Sequence, residues 1–398
     1  MVQMKSRTKY ILFVLLLLFV IVGFWFYRTL YMSTGSALQR AESFLFQRMS
    51  VAQLGEQGSM RYFFVTNRKH IGESEELEEN FSSERESNLK FGSYDTRVEP
   101  TVGLGMFINP SEWFQTEEIR VKQLRELQQQ AFIEQLKKQV QDAPQRSLLV
   151  VVHGFKERFP SALRKTAFLG HILDINSPIL VFDWPGDQGS SMRGYRRART
   201  VATESGTELA RTLELIIDDV QPEKLWLIAN SMGGQVVAKA FSDLNQNPEF
   251  ADAQYEFEDV VLTAPDVSRE EFDTQFKQEI NALTRNLTVY VSSNDRALVM
   301  SRIINRDTRL GESSLNPSML DEAARIAELI DKDSEVITLV DVTPVNRTRN
   351  FHNFSLETPE FFDDLYLRLI NEKTPQSRLL YRFETPKGAN YWVLTPGR

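Results

Sequence analysis

The run LWLIANSMGGQVVAKAF, residues 225–241, sets Ser231 between small residues where an apolar, strand-like segment gives way to a helix-like one. A serine hydroxyl is a poor nucleophile at neutral pH. It needs a base to take its proton, and the base needs a partner that fixes its tautomer and stabilises its cation. The chain has four histidines. His70 sits in an acidic N-terminal region and His171 in the helical stretch AFLGHIL, while His153 stands in a turn whose backbone has another use. His352, in FHNF, is left as the candidate base. Asp295 follows the preceding apolar run and is placed to orient it, with Asp266, one run earlier, as the alternative acid. The chemistry this set would perform is acyl transfer through a serine ester.

A serine exposed on a tight strand-to-helix turn needs small residues two positions away on either side, and Ala229 and Gly233 supply them. A helix starting near Met232 would aim its first N–H groups at the developing negative charge. The amides of Phe155 and Met232 are the expected oxyanion donors, with Gly154 letting the backbone come close. His153, Gly154, Trp184 and Asn230 are the candidate substrate-pocket residues. The scattered histidines predict no metal site, and no glycine-rich phosphate cradle is present.

These groups need a scaffold. Short, nearly continuous apolar runs recur at 147–152, 178–183, 224–229, 259–264, 287–292 and 335–340. Such runs suit strands buried on both faces of a parallel sheet. The stretches between them, 204–219 and 233–244 among them, are long enough for crossover helices. The pattern predicts an α/β fold with a mostly parallel sheet and helices on both faces, its functional groups outside the carboxyl ends of the strands. Upstream, residues 60–66 read as a first strand, 73–86 as an acidic, solvated loop, and 118–141 as one helix with a core-facing stripe from Val121 to Val140. The C-terminal RLLYRFETPKGANYWVL reads as a hairpin that either adds edge strands or covers the pocket.

Composition narrows the classes further. A net charge of −8 argues against a general nucleic-acid binder, and the lack of cysteine removes disulfides, thiolate zinc sites and cysteine nucleophiles. Residues 10–27, YILFVLLLLFVIVGFWFY, carry no charge and as a helix would span roughly 27 Å. They predict a single membrane span, with a cleaved signal as the minority reading. Lys5, Arg7 and Lys9 before it favour a cytoplasmic N-terminus and a catalytic domain outside, periplasmic in a Gram-negative cell. The expected division is anchor over 1–31, connector over 32–59, catalytic domain over 60–375 and tail over 376–398. Arg193, Arg196, Arg197 and Arg199, crowded near Tyr195, read either as a basic lip for an anionic substrate or lipid headgroup or as a solvated helix start.

The runs LLVVVHGF, PILVFDWPGD, IANSMGG, VVLTAPDV, LTVYVSSNDRAL and FHNF occur in an order that resembles a bacterial α/β-hydrolase family of unknown function, DUF900. FFVTNR and FGSYDTRVE resemble its N-terminal portion, extending the likeness over about residues 60–370. The resemblance implies an α/β-hydrolase fold and a Ser231, Asp295, His352 triad, without a substrate. The family commonly shows H-S-M-G-N at the nucleophile, where this chain has Asn230 and Gly234. The expected function is a membrane-anchored serine hydrolase acting on an acyl-bearing substrate, an ester before a thioester or amide, with no cofactor. A silent tethered scaffold and an acyltransferase are the alternatives, and the oligomeric state is left open.

Overall fold

The computed structural model describes residues 59–72, 79–98, 119–251, 256–267, 272, 276–292, 295, 336–346, 354–371, 374–378, 380–384 and 390–395. The span expected over 10–27, the connector up to residue 58, and His352 lie outside the described residues. Among the described residues no helix is long and apolar enough to cross a membrane.

In chain order the elements are β1 (Ser59–His70), β2 (Phe81–Val98), β3 (Ile119–Leu127), α1 (Gln129–Asp142), β4 (Ser147–Val152) and α2 (Phe159–Leu173). Then come β5 (Ile179–Asp183), α3 (Met192–Leu215), β6 (Lys224–Asn230), α4 (Gly233–Gln246), β7 (Asp259–Thr263) and α5 (Lys277–Leu283). The last are β8 (Leu287–Val291), β9 (Ile337–Asp341), α6 (Pro359–Asn371), β10 (Tyr381–Glu384) and β11 (Asn390–Val393). Among the described residues all eleven strands form one sheet, in the order β10-β11-β9-β8-β7-β6-β4-β5-β1-β2-β3. From β11 across to β1 every neighbouring pair is parallel, and only the outer pairs β10–β11, β1–β2 and β2–β3 are antiparallel.

The central strands are buried end to end, as SLLVVV and ILVFD show. Helices therefore have to cover both faces. On one face α1, α3, α4 and α5 close over Val150, Leu227 and Val260, and on the other α2 and α6 close over Val151, Ile228 and Tyr290. From β4 the chain steps outward to β5, then crosses back to β6 on the opposite side of β4. Val152 and Ala229 are register partners, so β4 and β6 end level with each other at the reversal of strand order. An open α/β sheet forms its crevice at such a place.

Two upstream expectations change, and at the C-terminus one of two open alternatives is realised. Residues 118–141 are not one helix: Ile119–Leu127 is β3, and only Gln129–Asp142 is helical, burying Phe132, Ile133, Leu136 and Val140. The cause is a bulge. Gln123 has φ of 49°, and the β2–β3 register shifts between Ser93 and Asp95, which breaks the period of two and lets a strand mimic helical spacing. The acidic loop read over 73–86 likewise ends before residue 81, where β2 begins. Its charges pair across strands and to α3, as in Lys69–Glu84 (2.8 Å) and Arg85–Glu208 (2.7 Å). The C-terminal hairpin extends the sheet edge, with β11 pairing parallel to β9.

Candidate active site

Ser231 is the first residue after β6, and its φ of 52° places it in the left-handed region. For a residue with a side chain that conformation costs roughly 1–3 kcal/mol and needs outside support. The support is three backbone hydrogen bonds. Ser231 N–H donates to Thr263 O (2.9 Å), and Ser231 O accepts from Gly234 N–H and Asp266 N–H (3.0 Å each). Gly233 is small for a steric reason, since a Cβ there would stand 2.7 Å from the carbonyl oxygens of both Val152 and His153. At Gly234 a Cβ would press to 3.2 Å from Val267 Cγ2 and 3.3 Å from Pro265 Cβ, so the loop after β7 occupies the space a larger residue would need.

The HGF turn after β4 faces this elbow. A Cβ at Gly154 would lie 3.1 Å from Ser231 Cβ and from both oxygens of Asn230. Among the described residues neither Phe155 N–H nor Met232 N–H has a hydrogen-bond partner. The two expected oxyanion donors thus keep amides without a partner among the described residues, one next to Ser231 in the chain and one after Gly154. Asn230 Nδ2 donates to Thr263 Oγ1 and to Ser355 Oγ, each at 2.9 Å. It ties the ends of β6 and β7 to the helical turn Phe354–Glu357, which begins two residues after His352.

The two acids part company. Asp266, after β7, is buried and accepts a hydrogen bond from Tyr195 Oη of α3. The Tyr195 ring also meets the Phe155 ring edge-on, with centroids 5.5 Å apart. Asp295, after β8, is fully buried, and its N–H donates to Ser292 O (3.3 Å).

His153 and Trp184, two of the candidate pocket residues, are buried at the ends of β4 and β5. Their rings stack with centroids 5.5 Å apart and planes 7° from parallel, and Trp184 Nε1–H donates to His153 O (2.8 Å). His153 Nε2 lies 3.0 Å from Asp183 Oδ1 at the end of β5. The other oxygen of Asp183 accepts from Thr66 Oγ1 (2.6 Å) and Arg68 Nε (2.7 Å). The strand register explains this: Thr66 of β1 is the partner of Asp183, and Arg68 lies two residues on, on the same side of the strand. The Arg68 guanidinium also donates to Asp187 Oδ1 (2.5 Å) and to the carbonyls of Ser82, Glu157 and Trp184. Burial pushes the Asp183 carboxyl upward, but Arg68 and His153 outweigh it and hold the group below its ordinary value. The sequence reading missed Arg68 altogether. Its only signal was a charged residue at the end of an aromatic strand run.

Lys156 follows Phe155 with φ of 69°, and its N–H donates to Gly186 O (2.9 Å). Burial lowers its amine to about 8. His171, on α2, is likewise pulled down by burial. Arg193, Arg196 and Arg197 are exposed on the first two turns of α3, which starts at the carboxyl edge of the sheet, and Arg199 is half-buried. Among the described residues no three His, Asp or Glu side chains are grouped as metal ligands.

Comparison with known proteins places this site in context. No curated protein matches the chain. A crystal structure of a protein from Agrobacterium vitis S4, provisionally named a hydrolase, covers 72% of this chain and 94% of its own. At 9% identity and a TM-score of 0.28 the likeness is too distant to bear on fold or function. The family model described as alpha/beta hydrolase of unknown function (DUF900) matches residues 128–370, from the start of α1 to the end of α6 and across the elbow. The chain belongs to that α/β-hydrolase family.

Proposed function

We propose that the protein is a membrane-anchored serine hydrolase that cleaves an acyl ester. The observation that carries the proposal is Ser231, held at positive φ where the strand order reverses, with the two expected oxyanion amides unpartnered among the described residues. Strain kept at one residue by three hydrogen bonds is a feature of functional turns. In the proposed reaction Ser231 Oγ attacks the ester carbonyl carbon while His352 takes the hydroxyl proton. The carbonyl oxygen becomes an anion held by the Phe155 and Met232 N–H groups. Collapse breaks the bond to the leaving alcohol, which receives the proton from His352. Water, deprotonated by the same imidazole, then attacks the acyl-serine; the acyl–Oγ bond breaks, His352 returns the proton to Ser231 Oγ, and the carboxylic acid leaves.

Asp295 is the favoured partner of His352. Both Asp266 and Asp295 fit the Ser, Asp, His order; the carboxylate of Asp266 accepts from Tyr195, and Asp295 follows β8, the next strand along. Exposed Arg193, Arg196 and Arg197 support an anionic or lipid-borne ester. Residues 10–27 would hold the domain at a bilayer with the N-terminus in the cytoplasm.

A fluorophosphonate probe tests the chemistry. Wild type should be labelled at Ser231 and Ser231→Ala should not, and equal labelling of the two rejects the nucleophile. An ester panel of graded acyl length then reads the substrate. The topology is tested on Thr200→Cys, an exposed position in a chain without native cysteine. A membrane-impermeant maleimide should label it from outside the membrane, and protection until lysis reverses the proposed orientation.

A further inference from the structure

His153 Nδ1 lies 2.9 Å from the carbonyl oxygen of Gly154. A carbonyl only accepts, so Nδ1 carries the proton in this contact. The conclusion holds whether Nε2 donates to Asp183 Oδ1 (3.0 Å) or accepts from Trp184 N–H (3.2 Å). Gly154 O belongs to the same peptide unit as Phe155 N–H. In a planar trans peptide the two groups point in opposite directions. A donor that grips the oxygen therefore sets where the N–H points.

The grip is itself held. The carboxylate of Asp183 fixes the imidazole, and Thr66 and Arg68 fix the carboxylate from the neighbouring strand. From the other side Gly186 packs against the same oxygen: a Cβ at Gly186 would stand 2.9 Å from Gly154 O. Gly186 O meanwhile takes the next N–H along, that of Lys156. Phe155 N–H has no hydrogen-bond partner among the described residues, and it points away from the Gly154 carbonyl that His153 grips.

We propose that His153 is a positioning residue for the oxyanion hole, its imidazole locking the Gly154–Phe155 peptide so that Phe155 N–H faces the oxyanion formed at Ser231. The role rests on the serine-hydrolase reading above and explains why a buried Arg68–Asp183–His153 chain stands directly behind the HGF turn. His153 touches neither substrate nor Ser231 in this role. It acts through a backbone amide.

Two substitutions separate positioning from packing. His153→Phe keeps a flat ring against Trp184 but donates nothing. His153→Asn places an amide N–H near the position of Nδ1. With a chromogenic ester, His153→Phe should lower kcat by about 10²–10³-fold, the loss that follows removal of one oxyanion donor, with KM little changed. Affinity for an alkyl boronic acid, which forms a tetrahedral anion on the serine, should fall in parallel. His153→Asn should recover at least about tenfold of the lost kcat. A His153→Phe enzyme with wild-type kcat, or an Asn variant no better than Phe, overturns the proposal.

Fluorophosphonate labelling of wild-type Ser231 separates the two failures. If the wild type is not labelled, the hydrolase reading is what fails. The clamp is still read from a crystal structure of His153→Phe, in which the Gly154–Phe155 peptide should rotate. An unrotated peptide overturns it.

Discussion

Replacing Arg68 by methionine should cost about 3–5 kcal/mol, the loss expected when one partner of a buried ion pair is removed. The structure locates that cost. Arg68 is 1% exposed and serves two carboxylates and three carbonyls. Asp187 is partly exposed and can take up water once its partner is gone, so it adds little. Asp183 has no access to water but keeps two contacts, with Thr66 Oγ1 and His153 Nε2. The loss should therefore fall toward the lower end of the range. The sign with pH follows from linkage. In the wild type the Asp183 carboxyl is held down, so its contribution is present above its unfolded value of about 3.9 and disappears only as pH falls through the folded value. In Arg68→Met burial dominates and raises that pKa, so the penalty is fullest at neutral pH and is relieved as the carboxyl protonates. Urea unfolding followed by tryptophan fluorescence, at pH 7 and at pH 4.5, reads both effects. The variant's deficit should shrink by about 1 kcal/mol or more at the lower pH. Arg68→Met/Asp183→Asn should be less destabilised than the sum of its single variants, because the stranded charge is gone. A deficit below about 1 kcal/mol at pH 7, the scale of an exposed pair, or strict additivity in the double variant, would refute the reasoning.

The remaining predictions concern the turn itself. Asp295→Asn should reduce kcat by about 10⁴-fold, as expected when the residue that orients the base is lost, while Asp266→Asn, still able to accept from Tyr195, should stay within about tenfold of wild type. Steady-state kinetics on the same ester decide it, and a reversed order hands the acid role to Asp266. Asn230→Ala should cost about 1–3 kcal/mol in urea unfolding, because Thr263 and Ser355 both lose their donor, with Asn230→His recovering only part of it. A neutral Asn230→Ala would mean the bridge bears no load. Lys156→Met should stabilise the protein at pH 7. A lysine lowered to about 8 weakens the fold while it is charged below that value, and the weakness fades as pH rises toward 10.4. Thermal melts from pH 7 to pH 10 check the trend, and a gain that grows with pH contradicts it.

The parts of this protein that sequence makes legible are those whose burial is uniform. SLLVVV and LWLIA are apolar on both faces, so no period has to be inferred, and their boundaries agree with the strands to within about two residues. The region before β4 is harder because its strands are half exposed and bulged. At Gln123 one extra residue rotates the pattern enough to read as a helix. The candidate site divides the same way. The small residues around Ser231 are local, and steric contact across 2.7 Å to the β4 backbone explains Gly233. What holds Phe155 N–H in place is not local. It depends on β1 lying beside β5, which brings Thr66 and Arg68 to Asp183 across more than a hundred residues of chain.

That division bears on how the turn works. The positive φ at Ser231 is held by backbone bonds to β7 and the loop after it, whereas the HGF turn rests on a buried charge network anchored in the outlying β1. Buried ionic networks are costly ways to add stability, and a hydrophobic replacement often does as well. Their better-attested use is to fix one geometry where an apolar contact would tolerate several. Arg68, Asp183 and His153 fit that use, because the chain they form ends on a single peptide plane, the one that carries the proposed oxyanion donor Phe155 N–H.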